Sequence, residues 1–189
     1  MRSASHPDQG LEIATRLRGR CITLIGLMGA GKSTVGRRLA QLVDLPFRDA
    51  DTEIESAARM SIAEIFSAYG EPEFRALEAR VVARLAQDGP QVLATGGGAY
   101  MAEETRAMLR EKSVTVWLKA DLDVLMERVS RRSTRPLLLA ADPRAVMEDL
   151  MAKRYPVYGE ADITIQSRNV RREVIADEIV EALDRHLDR

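Results

Sequence analysis

Along most of this chain, short apolar runs alternate with longer stretches of helical period. The runs are "CITLIG", "LPFRDAD", "QVLATGGG", "VTVWLKA" and "ADITIQS", rich in Val, Ile and Leu. Between them lie "KSTVGRRLAQLV", "SIAEIFSAYG" with "EPEFRALEARVVARLAQ", "AEETRAMLREK", "LDVLMERVS" and "DPRAVMEDLMAKRY", and "VRREVIADEIVEALDRHL" closes the chain. Strands that alternate with helices, and that read as continuous apolar runs, predict a parallel sheet covered on both faces. The expected fold is a three-layer α/β sandwich. One domain is expected over residues 20–189, after a polar leader at 1–19. Only "RRSTRPLLLAADP", residues 131–143, breaks the pattern, and its arginines and prolines between two helices read as a long, mobile loop.

Composition narrows this little. At 189 residues the chain is long enough for one well-buried core and short for two domains. With 28 basic and 29 acidic residues it carries no basic excess to signal nucleic-acid binding, so any anion site must be local. The single cysteine, Cys21, sits in an apolar run and reads as a buried strand residue. No apolar block suits a secretory signal or a membrane span, which makes a cytoplasmic enzyme the default. His6 and His186 fall in expected tails, which argues against histidine catalysis or metal binding.

Candidate chemistry narrows it further. "GLMGAGKS", Gly26 to Ser33, fits G-x-x-x-x-G-K-[ST] in full, follows the strand "CITLI" and opens the next helix. Such a loop turns backbone N–H groups from Gly29, Ala30, Gly31, Lys32, Ser33 and Thr34 toward phosphate oxygens. Lys32 then neutralises the β- and γ-phosphates, and Ser33 reaches Mg²⁺. A nucleoside triphosphate with Mg²⁺, most simply ATP, is the implied ligand. Many P-loop proteins hold the metal with an aspartate ending a second strand. Here "QVLATGGG" ends without an acid, so Asp49 and Asp51 in "FRDADTEIE" are the candidates for the missing charge. Two positions apart in an extended chain, they would face one spot. They also fit a plainer role, capping a helix that starts at "DTEIE", for which Asp51 is the better placed.

Helical geometry marks an acceptor site. Phe74, Leu77, Val81, Val82 and Leu85 form one apolar stripe, with Glu78 inside it and Arg75 on its edge. A buried Glu78 needs a partner, and an arginine fixed by it presents a fork suited to a carboxylate. The plainer alternative is an ion pair that only supports packing. On the next-to-last helix, Val146, Met147, Leu150 and Met151 share a face with Arg154 in its middle. Two arginines on apolar faces suggest an anionic small molecule. Gly96, Gly97 and Gly98 would let backbone amides approach it closely, and Arg131, Arg132 and Arg135 in the loop would lie near the triphosphate.

With "GLMGAGKSTVGRRLA", "FRDADTEIE", "FRALE", "GGGA" and "RPLL" in this order, the chain resembles the shikimate kinase family from about residue 20 to beyond 185. The resemblance implies a P-loop, nucleoside-monophosphate-kinase-like fold with a five-stranded parallel sheet and a closing lid at about 131–143. It also implies ATP-dependent phosphorylation of the shikimate 3-hydroxyl, on the way to chorismate and the aromatic amino acids. By the family pattern Asp49 holds Mg²⁺ through water, and Asp51 binds the acceptor hydroxyls and takes the proton. Arg75 binds the shikimate carboxylate, oriented by Glu78, and Arg154, in "KRYPVY", is a second carboxylate ligand. Gly97 and Gly98 turn amides to the substrate. Arg135 is the lid arginine, and Arg132 and Arg168 flank adenine in a looser alignment. Val157 stands where the family usually has Leu. The leader has no counterpart in the pattern; it is expected to be disordered and has no assigned role. The expected partners are shikimate and ATP, with no nucleic acid or membrane, and the expected state is a monomer. A gluconate kinase, a nucleoside-monophosphate kinase and a non-catalytic nucleotide switch are the rival readings; the last would bind ATP without acceptor-dependent turnover.

Overall fold

The computed structural model describes residues 7–131 and 141–188. Five strands, β1 (Cys21–Ile25), β2 (Phe47–Asp49), β3 (Val92–Ala94), β4 (Ser113–Ala120) and β5 (Ile163–Ser167), form one parallel sheet. Their order is β2-β3-β1-β4-β5. Every apolar run thus becomes a strand. Ile22 of β1 lies between Val92 and Val114, and Thr23 lies between Leu93 and Thr115. The three central strands are buried almost throughout, as the continuous runs predict. The edges differ: β5 alternates buried and exposed residues, and β2 is only partly covered.

The helices are α1 (Pro7–Arg16), α2 (Lys32–Leu42), α3 (Ala50–Ala58), α4 (Ile62–Gln87), α5 (Glu103–Lys112), α6 (Leu122–Ser130), α7 (Pro143–Tyr158) and α8 (Arg172–Leu187). From β1 the chain crosses through α2 to the β2 edge and then returns by way of α4, α5 and α6–α7 toward β5. Right-handed crossovers in opposite directions place α2 on one face and α4, α5 and α7 on the other. The direction reverses beside β1, and ligands of open α/β sheets bind beyond the carboxyl ends of the strands at such a point.

The structure corrects three expectations. First, the leader is not a disordered tail from residue 7 onward. Ile13 and Leu17 are fully buried, and Gly10 lies so close to α2 that a Cβ there would stand 2.0 Å from the Leu42 carbonyl oxygen. Arg16 ties α1 to the end of α8, 2.6 Å from Asp184 and 2.8 Å from Asp188. The leader's polar composition hid the two apolar residues, four apart, that meet this neighbour. Second, β2 stops at Asp49 and α3 begins at once, so strand alternation does not relate Asp49 to Asp51. It is Asp49 that caps α3, accepting from the Asp51 N–H at 3.1 Å. Third, Val146 is exposed, so the apolar face of α7 is narrower than expected: Met147 is buried, while Leu150 and Met151 are half-buried. Most of the expected lid, with Arg132 and Arg135, lies outside the described residues. Arg131 and the lid's last residues, Asp142 and Pro143, lie within them. There Asp142 caps α7 by accepting from the Ala145 N–H at 3.0 Å.

Candidate active site

A cleft of about 760 Å³ opens at the carboxyl end of the sheet. One wall is the loop from Gly26 to Gly31 and the start of α2. Gly29 and Gly31 have φ of 83° and 96°, values that only glycine adopts without strain, and they let the loop curl over the helix N-terminus. Lys32 folds back across this loop, its Nζ 2.8 Å from the Gly26 carbonyl and 3.1 Å from that of Leu27. Its charge is thereby held at the loop rim.

Behind the loop stands a brace that the sequence did not reveal. Arg128, near the end of α6, donates to the Gly29 carbonyl at 3.1 Å, to Ser167 Oγ at 2.9 Å and to the Arg168 carbonyl at 2.7 Å. Ser167 in turn donates to the Ala30 carbonyl at 2.7 Å. Arg168 is gripped by Glu178, with one contact at 2.9 Å, and lines the same end of the cleft. Like Arg154, Arg128 borders an apolar helix face, that of the buried Leu125 and Val129, and its position in the chain carries that signal. Arg131 also lines the cleft and pairs with Glu127.

Both acids of "FRDADTEIE" face the cleft, for a different reason in each case. Asp49 ends β2 and accepts from Ser33 Oγ at 2.5 Å. Asp51 sits in the first turn of α3, where burial, and then the neighbouring Asp49 charge, push its carboxyl up to about 6. Lys32 opposes that shift, while Glu78 adds to it. Among the described residues no group of three or more His, Cys, Asp or Glu side chains could hold a metal by itself. Ser33 and Asp49 nevertheless bring two hard oxygen donors together at the phosphate loop. That set fits Mg²⁺, which binds through one or two protein oxygens and otherwise keeps water and phosphate oxygens.

The opposite wall is assembled from α4, the β3–α5 loop and α7. Phe74, Val81, Val82 and Leu85 are buried as the stripe predicts, and Leu77 is half-buried. Glu78 is only 2% exposed and pairs with Arg75 at 2.6 Å. The other Glu78 oxygen, Oε1, has no hydrogen-bond partner among the described residues. Each glycine of "TGGGA" lies against one of these polar groups. A Cβ on Gly96 would stand 2.4 Å from Glu78 Oε1 and 3.0 Å from Asp51 Oδ1. One on Gly97 would stand 3.0 Å from Arg154 Nη1, and one on Gly98 would overlap the Arg75 guanidinium at 2.3 Å. Gly96 thus joins Gly97 and Gly98 as a residue that this packing requires. Ile62, Phe66 and Phe74 give the wall its apolar part. Gly70, with φ 80° and ψ 173°, breaks α4 between Phe66 and Phe74, and their rings then pack with centroids 4.5 Å apart.

The geometry therefore unites Lys32, Ser33, Asp49, Asp51, Arg75, Gly97, Gly98, Arg154 and Arg168 around one space. The family model described as shikimate kinase matches residues 28–184. The chain is 58% identical over 173 residues to shikimate kinase of Brucella canis, covering 92% of this chain and 86% of that one. It is 57% identical over 185 residues to shikimate kinase of Rhodopseudomonas palustris, covering 98% and 91%. Among solved structures, shikimate kinase from Acinetobacter baumannii in complex with shikimate is 35% identical, with a TM-score of 0.86 over 92% of this chain and 96% of that one. A gluconokinase from Sinorhizobium meliloti, 20% identical with a TM-score of 0.63 over 92% and 95%, shares the fold alone.

Proposed function

The chain belongs to the shikimate kinase family, and we propose that the two walls of its cleft divide that family's reaction between MgATP and shikimate. The protein is an ATP-dependent kinase that transfers the γ-phosphoryl group to the 3-hydroxyl of shikimate, giving shikimate 3-phosphate and ADP. The observation that carries the division is the position of Asp51, which faces the cleft between the phosphate loop and the arginine-lined wall.

On the nucleotide side, the N–H groups of Gly29 to Thr34 cradle the phosphates, and Lys32 leaves the loop carbonyls to meet the β- and γ-oxygens. Ser33, with Asp49 through water, would hold Mg²⁺, which when bound draws off charge from the phosphate oxygens. Arg168 supports the adenine end. On the acceptor side, Arg75 and Arg154 take the shikimate carboxylate, and the Gly97 and Gly98 amides hold its oxygens. Asp51 accepts from the reacting hydroxyl and holds it in line with the γ-phosphorus. The hydroxyl oxygen bonds to phosphorus, the bond to the ADP oxygen breaks, and Asp51 receives the proton. Arg132 and Arg135, which lie outside the described residues, take their roles at the adenine and as the lid arginine from the family pattern alone. A monomer is proposed on the family resemblance alone. No described helix is long and apolar enough to cross a membrane. The reliance on ATP supports a cytoplasmic location.

The test is ADP release from MgATP with shikimate, gluconate, AMP or no acceptor. Release should require shikimate, and Arg75→Leu should raise its KM while leaving that for ATP alone. Equal loss of both substrates would return Arg75 to a packing role.

A further inference from the structure

Tyr158 ends α7, is fully buried and does not line the cleft, yet its hydroxyl is bonded to a residue that does. It donates to the carbonyl oxygen of Gly97. The Arg154 guanidinium lies beside the same hydroxyl, close enough to oppose the upward pull of burial on it. Arg154 and Tyr158 are four residues apart on one helix and therefore share a face. Tyr155 supplies a natural comparison. It lies on the same helix and in the same aromatic cluster, with its ring centroid 6.2 Å from that of Tyr158, but its hydroxyl donates to the Ala120 carbonyl at the end of β4.

The direction of the Tyr158 bond is informative. A peptide unit is planar and trans, so the carbonyl of one residue and the N–H of the next point in opposite directions. With the Gly97 carbonyl held toward the buried phenol, the Gly98 N–H must point away from it, and Gly98 itself lines the cleft. The loop's own hydrogen bonds, from Ala99 N–H to the Gly96 carbonyl and from Met101 N–H to that of Gly98, do not use this N–H. Glycine at 97 has no side chain to limit rotation of that peptide, so the hydroxyl supplies the restraint that the residue lacks.

We propose that Tyr158 is a positioning residue for the acceptor: its hydroxyl fixes the Gly97–Gly98 peptide with the N–H toward shikimate and locks that donor to the helix that carries Arg154. This rests on the reading that Gly98 and Arg154 hold the acceptor. The phenol touches neither substrate. It makes one rigid unit of two acceptor-binding groups, a backbone donor and a guanidinium, that come from separate elements.

The experiment compares five proteins by steady-state kinetics and thermal melting: the parent, Tyr158→Phe, Tyr155→Phe, Arg154→Met and the double variant Tyr158→Phe with Arg154→Met. Loss of the phenol leaves the Gly97 carbonyl without its partner and the peptide free to turn. Tyr158→Phe should therefore raise KM for shikimate about tenfold, in line with the loss of one buried hydrogen bond, with KM for ATP unchanged. Tyr155→Phe loses a comparable bond away from the cleft and should leave both KM values unchanged. Arg154→Met should raise KM for shikimate more than Tyr158→Phe does, and combining the two changes should give less than the product of their separate effects. Parent-like KM values in Tyr158→Phe beside a large effect of Arg154→Met would overturn the positioning role and leave the acceptor reading intact. An Arg154→Met protein with unaltered KM for shikimate would instead overturn the acceptor reading. An equal rise in both KM values, in Tyr158→Phe and Tyr155→Phe alike, would reduce the phenol to a packing group.

Discussion

The halves of the cleft proposed for nucleotide and for acceptor are built in opposite ways. The phosphate loop is eight consecutive residues, Gly26 to Ser33, between a buried strand and a helix N-terminus. Its function follows from local backbone geometry: glycines that turn N–H groups inward, and a helix that starts at the lysine. The acceptor half has no such segment. Asp51 comes from α3, Arg75 and Glu78 from α4, the glycines from the loop after β3, and Arg154 and Tyr158 from α7. Each is an ordinary residue until the fold brings it to the others. A local motif is protected by the few residues that form it, whereas an assembled site depends on packing across the whole domain.

The sharpest test of that contrast is Lys32→Ala. Removal of one preorganised charge from a transferring phosphoryl group lowers kcat by about 10² to 10³-fold. Shikimate binding, followed by calorimetry without nucleotide, should persist. Loss of it would show that the two walls are not separable.

Arg75→Leu probes the assembled half and should have the next largest effect. A lost charge-assisted hydrogen bond is worth about 1.5–3 kcal/mol, which corresponds to a rise of roughly tenfold to a hundredfold in KM for shikimate. Stability should fall as well, because Glu78 is left buried without its partner. Adding Glu78→Gln should restore the melting temperature and not the KM. Recovery of both would make the pair a matter of packing.

Asp51 lies where the halves meet, and its effect should depend on pH. Its carboxyl is raised to about 6 in the fold, so between about pH 4 and 6 the native state binds more protons than the unfolded chain. Stability from this group is therefore greatest below that window and falls as pH rises through it. Denaturation of Asp51→Asn should show a gain over the parent near pH 8 that shrinks toward pH 4, together with reduced kcat. In the parent, kcat/KM should decline below about pH 6 as the carboxylate takes up its proton. A variant that keeps this acid limb would assign it to another group.

The smallest catalytic effect is expected outside both halves. Ile13→Ala empties a fully buried position in α1 and should cost about 2–4 kcal/mol of stability. At temperatures well below the melting transition, KM for either substrate should be unchanged. A shift in KM for ATP would mean that α1, packed on the end of α2, also steadies the phosphate loop.

How far each part could be read in advance follows from the range of its interactions. The five strands and the helices between them were legible because burial imposes a period on neighbouring residues. Arg75 with Glu78 was legible for the same reason, being one turn apart on an apolar face. The helix α1 was not, since its stability comes from contacts with α2 and α8, far away in the chain. Asp49 and Asp51 both line the cleft, but not through the local geometry expected of them: the strand ends two residues earlier than alternation assumed, and capping falls to Asp49. Arg128 could have been found from its helix face, but its partners, the Gly29 and Ser167 groups, could not.

The α/β alternation, the phosphate loop and the pairs that share one helix face can be read along the chain, because these depend on residues within a turn or two of each other. Packing between distant segments sets Gly96, Gly97 and Gly98 each against a different polar group, bonds Tyr158 to a carbonyl on another element and brings α1 into the core. Those facts are distances between segments separated by tens of residues. They are set when the layers close, and no local period in the chain records them.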